Sequence, residues 1–379
     1  MQATDWLHEI VPTLLAEPLR RAQRVRTTDD SMTSQQLTCL CLATVAAVVC
    51  GSRASAAPTA EERRTLEQDP AKILGSDTCM KCHGNAFEVW KGTPHYATFR
   101  TLHRDPRAKE IAHNMGLRSI KRGGICTDCH YTSQVAQAGQ HRAIEGISCE
   151  SCHGAAKDWI AVHRDYGGLQ VRQETETAEH KRWRREQSIA AGMNNPTNLY
   201  LIARNCYDCH TVPNEKLVNI GGHQAGSLDF ELVAWSQGAV RHNFLRTHGQ
   251  ANAVSETERL RVMYVVGVLT DIEYALRATA TATQRGKFAV VNANRVANMR
   301  QKLIEIQTLV KDDLLLEAIE ASYATGLKLD NKAALLEAAE RVGAAAYRFA
   351  ESRDGTKLEA IDAFLPGPEA YRYGRNRKD

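Results

Sequence analysis

The chain has 379 residues, 43% of them hydrophobic and 24% charged, which is long enough for two or three domains and too apolar to stay disordered. A formal charge of +4, with no dense run of Lys and Arg, excludes a nucleic-acid footprint. Eleven Cys and fourteen His against 6% aromatic residues imply that a prosthetic group supplies part of the core.

The first predicted element is an export signal. Leu37 to Cys50, LTCLCLATVAAVVC, has the length of a secretory apolar region and falls short of the roughly 20 residues of a membrane helix. It ends at Ala54-Ser55-Ala56, a small-x-small pattern, so cleavage after Ala56 and a periplasmic location are expected. Arg20, Arg21, Arg24 and Arg26 supply basic residues upstream, but Asp29 and Asp30 intervene and Met32 offers an alternative start that would drop residues 1–31. A lipoprotein anchor at Cys50 is disfavoured by Val49, which stands where a small residue is expected, and a short buried helix is the plain structural alternative.

Removing residues 1–56 leaves eight Cys, and all fall into one pattern: Cys79-Met80-Lys81-Cys82-His83, Cys126-Thr127-Asp128-Cys129-His130, Cys149-Glu150-Ser151-Cys152-His153 and Cys206-Tyr207-Asp208-Cys209-His210. Each reads CxxCH. Two thiols at this spacing reach the vinyl groups on one side of a porphyrin, and the next imidazole ligates the iron. Four c-type haems follow, with His83, His130, His153 and His210 as proximal ligands. Zinc also uses CxxC pairs, but gives no reason for a His after every second Cys; chance would supply all four in about two cases per million. Thioredoxin-like redox proteins carry one such motif, not four.

Cofactors change the charge. The presequence holds five basic and five acidic residues, so the mature chain keeps the +4. Eight propionates, offset by the ferric irons, bring the whole to about 0 oxidised and about −4 reduced.

Three regions are predicted: the presequence 1–56, a tetrahaem cytochrome c domain 57–250, and a haem-free helical bundle 251–379, which holds neither Cys nor His. The fold class is mainly α, with short helices and loops wrapped around porphyrins and little strand. In the tail, Ser255-Glu256-Thr257-Glu258 reads as a capping box opening a helix through Leu260, Met263, Val266, Val268 and Ile272. A second helix is expected over Arg295 to Val310. Leu335, Ala339, Val342, Ala346 and Phe349 form the stripe of a third. A covering or subunit-contact role, including a homo-oligomer through the tail, fits such a bundle better than a separate activity.

Candidates for the opposite face of each iron are His95, His103, His113, His141, His163, His180, His223, His242 and His248, and spacing alone does not pair them. Cys79 to Leu102 (CMKCHGNAFEVWKGTPHYATFRTL) and Gly146 to Gly167 (GISCESCHGAAKDWIAVHRDYG) resemble the tetrahaem cytochrome c-554 family, electron carriers that act beside hydroxylamine oxidoreductase. The resemblance covers about Ser76 to His210 and includes the order of the motifs, the Trp90-x4-His95 unit and His163 ten residues beyond the third motif. It implies that His95 ligates the third haem, opposite His153, that His163 ligates the first, opposite His83, and that the second haem, on His130, has no distal protein ligand. The chain departs from the family before the fourth motif, where Leu201 stands in place of a His. His223, then His242, are the expected replacements at the fourth haem, with His113 and His141 as ligands that would close the second.

The expected function is therefore electron transfer between redox proteins, such as a hydroxylamine-oxidoreductase-like donor and a membrane or soluble cytochrome acceptor. The alternative is an oxidoreductase acting on nitric oxide or hydroxylamine at an open second haem. Against it stand the absence of a CxxCK site and of the larger haem complement that such enzymes carry. A gas sensor would need an output module, and the tail shows no catalytic constellation.

Overall fold

Short helices, each closed by its own cap, carry the first half of the chain in this computed structural model, which describes residues 68–372 apart from 123, 137 and 138. The expected export signal and its cleavage site lie outside the described residues. All the described residues belong to the unit Ala57–Asp379.

Helix α1 (Ser76–Met80) ends inside the first motif, and α2 (Gly84–Lys91) begins after its His. Helices α3 (Pro94–Thr101) and α4 (Pro106–Asn114) start on a first-turn Pro, with the Thr93 and Asp105 side chains accepting from Tyr96 N and Ala108 N. The second motif ends in α5 (Thr127–His130). An antiparallel ribbon of β1 (Thr132–Val135) and β2 (His141–Glu145) follows, with Thr132 opposite Glu145 and Val135 opposite His141. It is the sole sheet among the described residues, so the mainly helical expectation holds. The third motif is helix α6 (Cys149–His153), opened by a capping box between Ser148 and Ser151. Next come α7 (Ile160–His163), α8 (Ala178–Ala190) and α9 (Leu199–His210), the last ending in the fourth motif. Helices α10 (Glu215–Asn219) and α11 (Leu232–Ser236) are single turns.

The tail holds α12 (Thr257–Ala280), α13 (Lys287–Val310), α14 (Asp313–Tyr323) and α15 (Lys332–Ser352). Helix α12 is buried nearly all round, its few charged residues included, and is packed by α9, α11, α13 and α15. No described helix is long and apolar enough to cross a membrane. Two details differ from expectation. The N-cap of α12 is Glu256, not Ser255, because Ser255 is drawn into the preceding loop, its N–H donating to Gln237 Oε1 and its hydroxyl accepting from Asn243. The second helix starts at Lys287, eight residues early, where the Phe288 N–H is met by Asn219 Oδ1 and the ring is fully buried.

One hydrophobic core runs from Leu199 to Tyr371 and joins α9 to the tail helices. The loss of Cys and His at residue 250 is thus a boundary in chemistry that the core crosses. Smaller clusters lie around Ala112, Ile120 and Tyr131, and around Ala156, Trp159 and Met193.

Candidate metal centres

A helical turn through each motif places its two Cys on one side of the backbone with the His beside them; in the first, His83 N–H donates to Cys79 O at 2.9 Å. All eight Cys are unbridged. Each motif His then meets one further imidazole. His83 faces His163 with ring centres 6.2 Å apart, His130 faces His223 at 6.3 Å, His153 faces His242 at 6.1 Å and His210 faces His95 at 6.4 Å.

The uniform spacing carries chemical information. Two metal–nitrogen bonds of about 2.0 Å and two ring half-widths of about 1.1 Å span about 6.2 Å. Direct packing of the rings needs no such constancy. In four of these residues Nδ1 is already engaged, which leaves Nε2 as the free nitrogen: His153 with Asn194 O at 3.2 Å, His210 with Ser227 Oγ at 3.1 Å, His223 with Gln224 O at 2.9 Å and His242 with Val240 O at 2.6 Å.

For six of the eight imidazoles burial disfavours the charged form and so favours the neutral one that binds a metal. It holds His130, His153, His163 and His210 down to about 4, with neighbouring imidazoles adding to the effect for each, and lowers His83 and His95 as well. Two of the motif thiols, Cys152 and Cys206, go the opposite way. Burial pushes Cys152 up to about 11 and Cys206 up to about 12, which opposes the thiolates that zinc would require. Among the described residues no three or more His, Cys, Asp or Glu converge as a metal cage; the imidazoles come in twos. His163 Nδ1 and the neighbouring Trp159 Nε1 are buried without a protein partner, donors that a propionate would satisfy. The residues fit haem.

The pairs themselves group. His153 lies within electrostatic reach of His83, His163 and His242, and the Cys79 and Cys149 side chains hydrogen-bond. His210 lies likewise within reach of His95 and His130. The two groups meet where Cys152 adjoins Cys206 and Asn205 Nδ2 donates to Cys152 O at 2.8 Å. The motifs are therefore linked in the spatial order first, third, fourth, second.

Three expectations change. His95 meets His210 and not His153. Its backbone does lie at the third motif, since Ile147 N donates to His95 O at 3.1 Å and Trp90 Nε1 donates to Ile147 O at 2.8 Å, but its ring faces the fourth. His242 stands opposite His153, and His223 opposite His130, so neither reaches His210. His223 faces His130, where no distal imidazole was expected, while His113 closes α4 and His141 opens β2. His163 and His83 do face each other. No spacing rule would have found these partners, which come from distant segments; the Gly221-Gly222 pair beside His223 is the strongest local sign of a residue delivered by a tight loop.

Short CxxCH helices whose His is answered by a second imidazole define a c-type cytochrome. Residues 78–154, which contain the first three motifs, match the family described as cytochrome c554 and c-prime. Cytochrome c-554 of Nitrosomonas europaea is 27% identical over 127 residues, 32% of this chain and 54% of that protein. The chain thus spans about half the length of the curated relative it matches. No solved structure matches. A relationship to the c-554 family is shown for this segment, and it implies covalently bound haem c and suggests electron carriage.

Proposed function

We propose that the mature protein, beginning after Ala56, is a periplasmic tetrahaem cytochrome c that carries electrons between redox proteins. The observation that carries this reading is that every CxxCH His has one imidazole facing it at the same 6.1–6.4 Å. Haem supplies reversible one-electron chemistry, tuned by its axial ligands and its burial. Cys79 and Cys82, Cys126 and Cys129, Cys149 and Cys152, and Cys206 and Cys209 form the thioethers. The facing imidazoles would hold the irons, and Ser227, Asn194, Gln224 and Val240 fix ring orientation through Nδ1. The sequence of contacts first–third–fourth–second provides a path from one end of the site to the other. Partners of the kind that serve c-554, a hydroxylamine-oxidoreductase-like donor and a cytochrome acceptor, suit a protein whose holo charge falls from about 0 to about −4 on reduction.

The test is haem stoichiometry and electron count on protein matured in a periplasm. Intact mass and the pyridine haemochrome should give four covalent haems, and a redox titration four one-electron steps in the absence of substrate. Fewer than four haems, or a zinc content of two per chain, would sink the proposal. Turnover of nitric oxide or hydroxylamine has no observation in its favour, since it needs an open iron face.

A further inference from the structure

We propose that His223 is the distal ligand of the second haem and that the Gly221–Gln224 loop is a clamp built to keep it there, so this chain has closed the position that the c-554 resemblance leaves open. This rests on the reading that haem occupies the second motif. His130 and His223 stand 6.3 Å apart with their rings inclined by 46°, and the His223 Nδ1 is turned to Gln224 O at 2.9 Å, which frees Nε2.

The loop is held from both sides. From behind, His223 N donates to Leu217 O at 3.0 Å, the turn following α10. From the front, α4 reaches over it: Arg107 Nη2 donates to Gly222 O at 2.6 Å and Asn114 Nδ2 to Gly221 O at 3.3 Å. Gly221 has no room for a side chain, and Gly222 adopts a backbone conformation that side chains rarely take. A Cβ at Gly221 would sit 2.6 Å from Leu217 O and 3.1 Å from Met115 Sδ, while Gly222 has φ of +78° with Arg107 Nη2 3.1 Å from where its Cβ would be. The same α4 packs Ala112 against Ile120 and Tyr131 beside Cys126, so clamp and motif share one support.

The loop is also hung on the tail. Glu215 of α10 accepts from Thr283 N at 3.0 Å and Thr283 Oγ1 at 2.6 Å, and Asn219 Oδ1 accepts from Phe288 N at 3.0 Å. His223, α10 and the tail all lie beyond residues 78–154, the part matched to the family. That is the physical reason a protein resembling c-554 around its first three motifs can differ at its second haem.

Electron paramagnetic resonance of the oxidised holoprotein, and carbon monoxide binding to the reduced one, test this directly. The wild type should show low-spin iron only and take up less than one tenth of a carbon monoxide per chain. His223→Ala should turn one haem in four high-spin and bind one carbon monoxide per chain, and added imidazole should restore the low-spin spectrum. Arg107→Ala keeps the ligand but loosens the clamp, and should speed carbon monoxide binding at least tenfold. A quarter of the wild-type iron in the high-spin form, or four low-spin haems in His223→Ala, overturns the proposal. Fewer than four covalent haems in the wild type overturns the haem reading beneath it, so the two failures are distinguishable.

Discussion

Single residues beyond the eight paired His shape the surroundings of the site. Glu176 is the clearest case: its side chain is fully buried, accepts from Arg184 Nη2 at 2.6 Å and from Nε at 2.7 Å, and the same Arg184 donates through Nη1 to His163 O at 2.8 Å. The hydrogen-bonded guanidinium, helped by His180, holds the Glu176 carboxyl at about 2. A depressed carboxylate contributes stability that is complete above its ordinary value near 4.5 and is lost as pH falls toward about 2. The thermal midpoint should therefore fall with acid between those pH values in the wild type and fall less in Glu176→Gln. Arg184→Ala leaves the carboxylate with His180 as its remaining side-chain partner and should cost about 1.5–3 kcal/mol at neutral pH. A second residue-scale effect concerns potential. Ser227 Oγ beside His210 Nδ1 strengthens that imidazole as a donor to ferric iron, so Ser227→Ala should raise the potential of one haem by tens of millivolts and leave the other three unmoved in a spectroelectrochemical titration. A uniform shift of all four would sink that assignment.

At the scale of elements, legibility followed amphipathicity. Leu335, Ala339, Val342, Ala346 and Phe349 all turn out fully buried on one face of α15, because a helix lying on a core must show its apolar stripe in sequence. Helix α12 has no polar face, so its pattern tells little about its neighbours, and its cap was misread because a tertiary contact claimed Ser255. Within α12, Gly267 is where two elements close in: a Cβ there would lie 2.9 Å from Leu232 Cβ and 3.4 Å from Tyr207 Oη. Leu232 belongs to α11, which with Phe230 and Trp235 sheathes His210; Phe230 stacks on that imidazole at 4.4 Å and Trp235 meets it edge-on at 5.2 Å. Gly267→Val should therefore cost about 1–3 kcal/mol by overpacking. Its signature is local: the low-spin spectrum of the fourth haem should broaden while that of the first stays sharp. An unchanged midpoint in a denaturant titration would contradict the packing argument.

Over the whole molecule, the motifs were legible because covalent attachment demands contiguous residues, and the axial partners were not because ligation asks only for proximity in space. His95 and His210 are far apart in sequence yet face each other; the backbone of His95 is tied to the third motif, which made the resemblance misleading about its ring. The same distinction governs the boundary at residue 250. Leu199, Leu201, Ala203 and Tyr207 of the fourth-motif helix are buried in one core with α12 and α15, and Tyr200 Oη donates to the buried Glu273 at 2.8 Å. Arg295 of α13, paired with the buried Asp271, donates to Ser227 O at 3.3 Å and so reaches the neighbour of His210. Stripping the tail would uncover Leu199, Leu201 and Tyr207, large side chains each worth about 1.5–3 kcal/mol, against a total stability of about 5–15 kcal/mol for a typical domain. A chain ending at residue 250 should then fail to accumulate with four haems, although it keeps every Cys and His of the site. Co-expression of 57–250 with 251–379 as separate chains should recover the four-haem protein, because the loop around residue 250 is an exposed connection while the core joins the two parts by packing. Soluble 57–250 carrying four low-spin haems on its own would show that the tail is dispensable and that the shared core contributes far less than its burial implies.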